Sequence, residues 1–406
     1  MRVLFVLKSA LTHNRQNALC VDGITRELFD LNNDIQIDYL SWENSKISNF
    51  QKNTDSVTFD YGTIYPLYYY DNSSLKRKIG YIYKFFHIPI ENRLLVNLLK
   101  NKVIELNNLN KYDAIITVIN PPETAEAVSL VKDKLNDTKT ILYEIDPNSN
   151  RYSGKLSAFQ KFWNYMSTKW EQKIYDSFDS VIHMESHRRH YSQNTFMRYN
   201  NKCLYLDIPN FMPRKLYKTK ENSDSIVEFF YGGAFYPLLR EPYYMIKLLS
   251  EVEKHKKMSL DIYTGYSMRK ELEILQRKNA FLILHNEVSE SELDRAMCDA
   301  DILISIGNKD SDFLPSKTLK YMGTGKPIIH FYSDDNDVSL NYYKYYPAVL
   351  FIDQRREIND SLIDEVVDFV QKTRIDINVD FDELKSNLIK NTPEYTAKQL
   401  MELING

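Results

Sequence analysis

The hydrophobic pattern divides the chain into two series of alternating strands and helices. Short apolar runs rich in branched residues, such as residues 1–7 and 301–306, are typical of strands buried in a parallel sheet. Amphipathic stretches of helical length separate these runs. The segment at 214–225 is almost entirely polar and charged, which is typical of a linker between domains. We therefore predict an α/β protein with two Rossmann-like, doubly wound domains that face a cleft.

The pattern also predicts where each segment and each element lies. The N-terminal domain spans residues 1–212, the linker 213–225, the C-terminal domain 226–388, and a last segment 389–406 contains a helix at 393–404. In the first domain, strands are predicted at 1–7, 35–40, 112–119, 140–145 and 180–184, and helices at 18–31, 92–107, 124–135 and 159–178. In the second, strands are predicted at 226–231, 259–263, 280–284, 301–306, 327–331 and 349–352, and helices at 243–254, 268–278, 289–298 and 316–322.

Composition narrows the class of protein. The chain has 406 residues and a formal net charge of -3, which argues against a general nucleic-acid binder. No apolar run approaches the roughly 20 residues that span a bilayer, and the apolar N-terminus is too short for a signal peptide. Cys20, Cys203 and Cys298 lie far apart, so neither a disulfide framework nor a zinc site is indicated. A cytoplasmic protein is the expectation.

Residues 75–89 interleave basic and aromatic side chains and end at a proline. One interpretation is a segment that lies on an anionic membrane surface, with its rings at the headgroups and its lysines on phosphates. The other is a helix that packs on its own domain and has a solvated basic face. The first interpretation predicts a peripheral protein on the inner face of the cell membrane.

Several polar residues follow the strands of the first domain, at the sheet edge where open parallel sheets bind ligands. His13 and Arg15 follow the first strand, Asn120 and Glu123 follow the strand at 112–119, and Asp146 follows the strand at 140–145. We expect these side chains to line the cleft. Asp146 equally fits a turn or N-cap carboxylate, an alternative that the sequence leaves open.

Three histidines, His183, His187 and His190, invite comparison with a metal site. Their spacing crosses a predicted junction between a strand and a helix, so they need not share a face. No carboxylate pair joins them as in zinc signatures. The sequence therefore predicts no metal site.

An anion site is predicted at the start of the second series. Gly232 and Gly233 directly follow the strand at 226–231, and Arg240 lies in the same loop. Glycines allow a diphosphate to approach the backbone, and arginine can hold it through two hydrogen bonds.

A second anion-binding element is predicted after the strand at 301–306. Pro315 and Ser316 precede Lys317 at the start of a helix that must end at Gly323 or Gly325. The amides and the dipole of a helix N-terminus favour an anion, and Lys317 adds a full positive charge. On either side of this site, the sequence places Asp312 and Lys320.

Four segments together resemble a known family. Tyr231-Gly-Gly with Arg240, the stretch from Val288, the stretch from Ala300, and Pro315-Ser-Lys-Thr-Leu-Lys-Tyr-Met-Gly-Thr-Gly-Lys-Pro resemble the retaining, GT-B-fold glycosyltransferases that build bacterial surface polysaccharides. The similarity is specific over 226–331 and looser over the N-terminal half. In that fold the last helix, here 389–406, returns to the N-terminal domain.

The resemblance implies a glycosyltransferase, of the hexosyltransferase type, that binds a nucleotide sugar on its second domain and an acceptor on its first. UDP-sugar is the expected co-substrate, with no further cofactor, and the acceptor would be a glycan or a lipid-linked or protein-linked molecule. Gly232, Gly233, Pro315 and Ser316 would contact the donor phosphates, and Glu287 and Val288 would border the nucleobase.

The same resemblance implies a catalytic set. Arg240 and Lys317 would neutralise the leaving diphosphate without a metal, and Asn120 and Asp146 would act from the first domain, with retention at the anomeric carbon.

This sequence departs from the family at one functional position. Members commonly carry two glutamates eight positions apart, the second on the ribose, and these correspond to Asp312 and Lys320. A lysine cannot accept hydrogen bonds from ribose hydroxyls as a glutamate does. Two alternatives therefore remain, a GT-B-like partner subunit that has lost catalysis and, with less similarity, a sugar-nucleotide epimerase.

Overall fold

The chain folds into two compact units. The computed structural model describes residues 1–8, 16–44, 57–59, 62–69, 87–119, 121–149, 156–213, 226–265, 267–309, 314–315, 317–373 and 379–406. The first unit contains Met1–Pro209 together with Lys390–Gly406, and the second contains Asn210–Ile389. Apart from Pro213, the predicted linker at 213–225 lies outside the described residues.

Within its described residues, the first unit contains an eight-stranded sheet of order β3-β4-β2-β1-β5-β6-β7-β8. Every neighbouring pair is parallel except β3 and β4. Its strands are β1 Arg2–Leu7, β2 Gln36–Asn44, β3 Val57–Phe59, β4 Gly62–Tyr69, β5 Ala114–Ile119, β6 Lys139–Glu144, β7 Ser180–Met184 and β8 Cys203–Leu206.

Helices cover both faces of this sheet, which explains why its central strands are buried at nearly every position. They are α1 Gln16–Leu31, α2 Arg93–Asn110, α3 Pro122–Ser129, α4 Ala158–Ser177 and the short α5 Arg188–Tyr191. In β1, Leu4 and Val6 pack with α2, α3 and α4, whereas Val3 and Phe5 pack on the opposite face. Alternate side chains of one strand therefore enter two different cores.

The second unit contains a parallel sheet of order β11-β10-β9-β12-β13-β14. Its strands are β9 Val227–Gly232, β10 Met258–Tyr263, β11 Leu282–His285, β12 Ile302–Ile306, β13 Ile328–Tyr332 and β14 Val349–Asp353. Its helices are α6 Tyr243–Glu253, α7 Arg269–Lys278, α8 Glu290–Asp299, α9 Lys317–Met322, α10 Leu340–Tyr343, α11 Asp360–Thr373 and α12 Phe381–Asn387. Because β9 pairs with β12 in parallel, the carboxyl ends of these two strands lie side by side.

The last helix, α13 Pro393–Asn405, belongs to the first unit. Its buried residues Ala397, Leu400 and Ile404 join the core that contains Val3 and Phe5. Thr392 caps the helix by accepting a hydrogen bond from the Tyr395 amide at 3.3 Å. The final segment of the chain therefore completes the core that the first strand begins.

The predicted set of helices and strands contains one wrong boundary and is incomplete. The predicted helix at 124–135 ends at Ser129, and a separate 3₁₀ turn follows at Lys132–Lys134. Buried Val128, Val131 and Leu135 recur at nearly helical spacing, and a break after the first of them satisfies the same pattern. The prediction also lacked the strand β8 and the helices α5, α10, α11 and α12.

Candidate functional site

The turn after β9 places a glycine under a lysine. The Gly232 amide donates a hydrogen bond to the Tyr321 hydroxyl of α9 at 3.1 Å. A Cβ added to Gly232 would lie 2.7 Å from the Phe230 ring and 3.1 Å from the Lys317 Nζ. The Phe230 ring and the Lys317 ammonium can therefore lie this close to the backbone only because the residue is glycine.

Lys317 is held here by the helix that it begins. The next five residues of α9, Thr318 to Met322, are all buried, so the half-buried lysine is the most accessible member of the helix. The helix ends at Met322, and Gly325 adopts a φ of 72°, in the left-handed region that favours glycine. The Tyr321 hydroxyl and the Lys317 side chain thus place α9 against the carboxyl end of β9.

Arg240 lies at the same edge of the sheet. Its loop is closed by two backbone hydrogen bonds of 2.9 Å with Tyr236. Its Nε and Nη2 donate to Oδ1 of the buried Asn308, just beyond β12, at 3.1 and 2.6 Å. Burial raises the pKa of Tyr231, and the neighbouring Arg240 opposes that rise. Two cations, Arg240 and Lys317, therefore occupy the carboxyl edge of β9 and β12.

A network of buried polar side chains links β12 and β13 near this edge of the sheet. His330 of β13 lies 3.0 Å from the Ser305 Oγ through Nδ1 and 3.1 Å from the Asp337 Oδ2 through Nε2. Asp337 also accepts a hydrogen bond from the Ser339 amide at 2.9 Å. A Cβ on Gly307 would lie 1.5 Å from the Asp337 carboxylate, so this glycine is required for the carboxylate's position. Sequence analysis missed this network, although a histidine within an apolar strand was a signal.

Lys320 is buried and faces an acid. Its Nζ lies 2.7 Å from Asp294 Oδ1 on α8, and only 8% of the lysine side chain is exposed. The Asp294 carboxylate therefore lies beside Lys320, the position at which the sequence departs from the family pattern. Glu287 is exposed and Val288 half-buried, and both precede the Ser289 side chain that caps α8.

In the first unit, Glu123 has a structural set of partners. Its Oε1 accepts hydrogen bonds from the amides of Glu91 and Asn92 at 2.8 and 2.9 Å, next to the start of α2. Its side chain is buried, and burial raises its pKa. Asp146 is exposed in the loop that follows β6.

Sequence analysis also missed a buried acidic pair beneath that loop. Glu144 ends β6 and is 1% exposed, and Glu171 of α4 is fully buried. Glu171 Oε1 accepts hydrogen bonds from the amides of Asn148 and Ser149 at 2.6 and 2.8 Å. Glu171 therefore holds the loop that carries Asp146, and it interacts with Glu144 beside it.

Five predicted site residues, His13, Arg15, Asn120, Asp312 and Ser316, lie outside the described residues, as do residues 75–86 of the basic and aromatic segment. Pro315 is described and half-buried. None of the described helices is long and apolar enough to cross a bilayer. Among the described His, Cys, Asp and Glu side chains, no group of three or more is arranged to hold a metal ion.

Comparison with solved structures identifies the fold. The sucrose-phosphate synthase from Thermosynechococcus elongatus superposes over all of this chain and 98% of its own, with a TM-score of 0.65 and 11% sequence identity. An α,α-trehalose-phosphate synthase (UDP-forming) from Burkholderia xenovorans, in complex with glucose-6-phosphate, covers both chains completely, with a TM-score of 0.65 and 10% identity. The chain has the GT-B fold.

A third structure, the lipopolysaccharide outer core galactosyltransferase WaaB, matches 98% of both chains with a TM-score of 0.53 and 9% identity. No protein-family model and no curated protein matches the sequence. At identities this low, the structural similarity establishes the GT-B fold, and the activity has to be argued from the site. The predicted fold class is confirmed.

Proposed function

We propose that the protein is a glycosyltransferase that moves a sugar from a nucleotide-diphosphate sugar to an acceptor. The observation that carries the proposal is the position of the Lys317 ammonium, 3.1 Å from where a Cβ on Gly232 would lie. Arg240 supplies a second cation at the same edge of the sheet. Glycine backbone and two cations are the chemistry that binds a diphosphate.

The proposed mechanism stabilises the leaving diphosphate. Negative charge develops on the phosphate oxygens as the glycosidic bond to the donor breaks, and Arg240 and Lys317 neutralise it. This needs no metal ion, and the transfer proceeds with retention at the anomeric carbon. Asn120 and Asp146 act from the first unit, on the acceptor or the reacting sugar.

The donor nucleotide is proposed to be UDP-linked. Gly233, Pro315 and Ser316 complete the phosphate contacts, and Glu287 and Val288 border the base. Asp312 and Lys320 are assigned to the donor side, and the Asp294 carboxylate beside Lys320 can accept hydrogen bonds from the ribose hydroxyls.

The acceptor is proposed to be a glycan or a lipid-linked or protein-linked molecule of a bacterial surface polysaccharide or glycoconjugate. The structural similarity to a lipopolysaccharide galactosyltransferase supports this class. His13, Arg15 and Glu123 are assigned to the acceptor side, at the sheet edge where open parallel sheets bind ligands. Residues 75–89 are proposed to hold a cytoplasmic enzyme on the anionic inner face of the membrane.

A screen of sugar nucleotides with purified protein and candidate acceptors tests the transferase proposal. The expected result is transfer from one donor, with release of its nucleoside diphosphate and an unchanged rate in the presence of EDTA. Absence of transfer and of hydrolysis with every donor would contradict it.

A second candidate, an inactive GT-B-like partner subunit, is favoured by Lys320 alone. Calorimetry with UDP separates the two, because a subunit that has lost its donor site shows no heat of binding, whereas the proposed enzyme binds UDP at its glycine turn.

A further inference from the structure

The Glu144 and Glu171 carboxyl groups form a pair that the proposed chemistry does not use. Both side chains are at most 1% exposed, and each has one oxygen, Glu144 Oε1 and Glu171 Oε2, without a hydrogen-bond partner in the described part of the chain. Two buried carboxylates cannot satisfy each other, because each only accepts hydrogen bonds. A proton between them would satisfy both oxygens at once.

The other oxygen of Glu144 already has a donor. The Tyr175 hydroxyl of α4 donates to Glu144 Oε2, and His183 Nδ1 of β7 lies 3.2 Å from the same oxygen. Cys203 of β8 lies 3.5 Å from His183 Nε2, which suits a thiol donating to a neutral imidazole. Burial lowers the pKa of His183 to about 3, so this ring carries no charge that would compensate the acids.

The other oxygen of Glu171 is occupied as well. Its Oε1 accepts from the amides of Asn148 and Ser149, so the carboxyl group fastens the loop at 145–149. The Ser149 hydroxyl lies 2.7 Å from His190 Nε2. With Oε1 committed to the loop, only Glu171 Oε2 is available to face Glu144.

Among the described residues, no cation compensates the pair. The titratable groups that act on it from the surrounding elements are Asp146 after β6, His183 on β7, Cys203 on β8, Tyr175 on α4 and Tyr191 on α5. Burial lowers the pKa of His187 to about 4, so it is neutral too. Burial also raises the pKa of both glutamates, and the nearby Glu144 charge raises that of Glu171 further.

We propose that Glu171 is held as the protonated acid, with its Oε2–H donating to Glu144 Oε1, and that this shared proton positions the loop at 145–149. Glu171 then acts as a positioning residue for Asp146, which that loop presents at the carboxyl edge of the first sheet. The role for Asp146 rests on the proposed glycosyltransferase function, whereas the protonation state does not.

The substitution Glu171→Gln tests the proton directly. The side-chain amide that it introduces keeps the shape, donates toward Glu144 and still accepts from the loop amides, so it mimics the protonated acid at every pH. Unfolded Glu171 ionises near its ordinary pKa, whereas the folded residue keeps its proton to a higher pH. Between these two pKa values, the folding equilibrium constant of the wild type falls by up to about tenfold for each unit that the pH rises. Glu171→Gln lacks this loss and should be at least as stable as wild type at neutral pH.

Glu126→Gln is the matched control. Glu126 is also buried, but it accepts from Trp170 Nε1 at 2.9 Å and faces Lys173 and Arg93 at 3.2 and 3.4 Å. Its ionised form is compensated, so Glu126→Gln should be less stable than wild type at neutral pH. Chemical unfolding of the three proteins at several pH values gives the comparison.

Infrared spectroscopy supplies a second measurement. Wild type and Glu126→Gln should show the carbonyl band of a buried protonated carboxylic acid at neutral pH, and Glu171→Gln should lack it. A Glu171→Gln protein that is unfolded, or less stable than wild type at neutral pH with no band lost, would overturn the proposal.

Activity then tests the positioning role. If the enzyme transfers sugar, the alkaline limb of its pH–rate profile should move to higher pH in Glu171→Gln, and an unchanged limb would overturn the positioning role. If the wild type transfers no sugar, the proposed function fails, while the stability and infrared results still decide where the proton lies.

Discussion

At Gly232, the absence of a side chain decides which group can occupy the carboxyl end of β9. The backbone there is close to the Phe230 ring and to the Lys317 ammonium, and the Gly232 and Gly233 amides donate to the Tyr321 hydroxyl and the Tyr263 carbonyl. A phosphate bound against this turn, as proposed, would therefore be held by the cation. The residues and the family resemblance predicted that this glycine and Lys317 act on the same donor phosphates. Their proximity depends on β9 and β12 being neighbours, which no local pattern specifies.

The first prediction concerns that space. We expect Gly232→Ala to weaken UDP binding by about tenfold or more, because the new methyl group must displace the ring or the lysine at a cost of roughly 1–3 kcal/mol. The control is Gly265→Ala, where no heavy atom lies within 4 Å of the added methyl group. Calorimetric titration with UDP measures both, and equal affinities for the two variants would contradict the site.

The second prediction concerns the two cations. Lys317→Ala and Arg240→Ala should each lower the transfer rate by about 10²–10³-fold, the usual cost of removing one group that stabilises transition-state charge. Lys278→Ala is the control, because Lys278 is exposed at the end of α7 and leads into the opposite, amino end of β11. Steady-state kinetics with circular dichroism as a check on folding distinguishes lost catalysis from lost structure. Wild-type rates in both site variants would refute the mechanism.

Among the elements, α13 shows how a distant segment completes a core. It packs on α1, with Ala397, Leu400 and Ile404 in the core of the first sheet. Amphipathic spacing was sufficient to predict this helix. Its partner was implied only by family resemblance, because an apolar helical face does not specify which sheet it covers.

The third prediction follows from that packing. Leu400→Ala should reduce the free energy of unfolding by about 2–5 kcal/mol, because a fully buried leucine leaves a cavity. Lys398→Ala is the control on the same helix, where only an exposed pair with Glu394 is lost, worth about 0.3–0.5 kcal/mol. Urea unfolding measures both changes. A loss below about 1 kcal/mol for Leu400→Ala would show that α13 does not stabilise this core.

At the scale of the whole molecule, the two units differ in whether one continuous segment of the chain forms them. The second unit is continuous from Asn210 to Ile389, whereas the first needs Lys390–Gly406. The second unit has its own hydrophobic core, built on β9, β10 and β12. Independent folding of the second unit is therefore expected.

The fourth prediction tests this independence. A fragment of residues 210–389 should fold cooperatively and bind UDP, because the glycine turn, Arg240 and Lys317 all lie within it. A fragment of residues 1–389 should lose the stability of its first unit, since α13 is absent. Circular dichroism and calorimetry measure these outcomes, and a 210–389 fragment that folds but does not bind UDP would place part of the nucleotide site elsewhere.

The sequence by itself determined the α/β class, most of the strands and helices, and the glycine and lysine positions of the second unit. These follow from local causes: periodic burial, turn residues and helix starts. Tertiary structure alone decided that Lys320 faces Asp294, that His330 joins Ser305 to Asp337, and that Glu144 meets Glu171. Each of these pairs joins separate elements, and a buried polar side chain takes its role from the partner that folding brings to it.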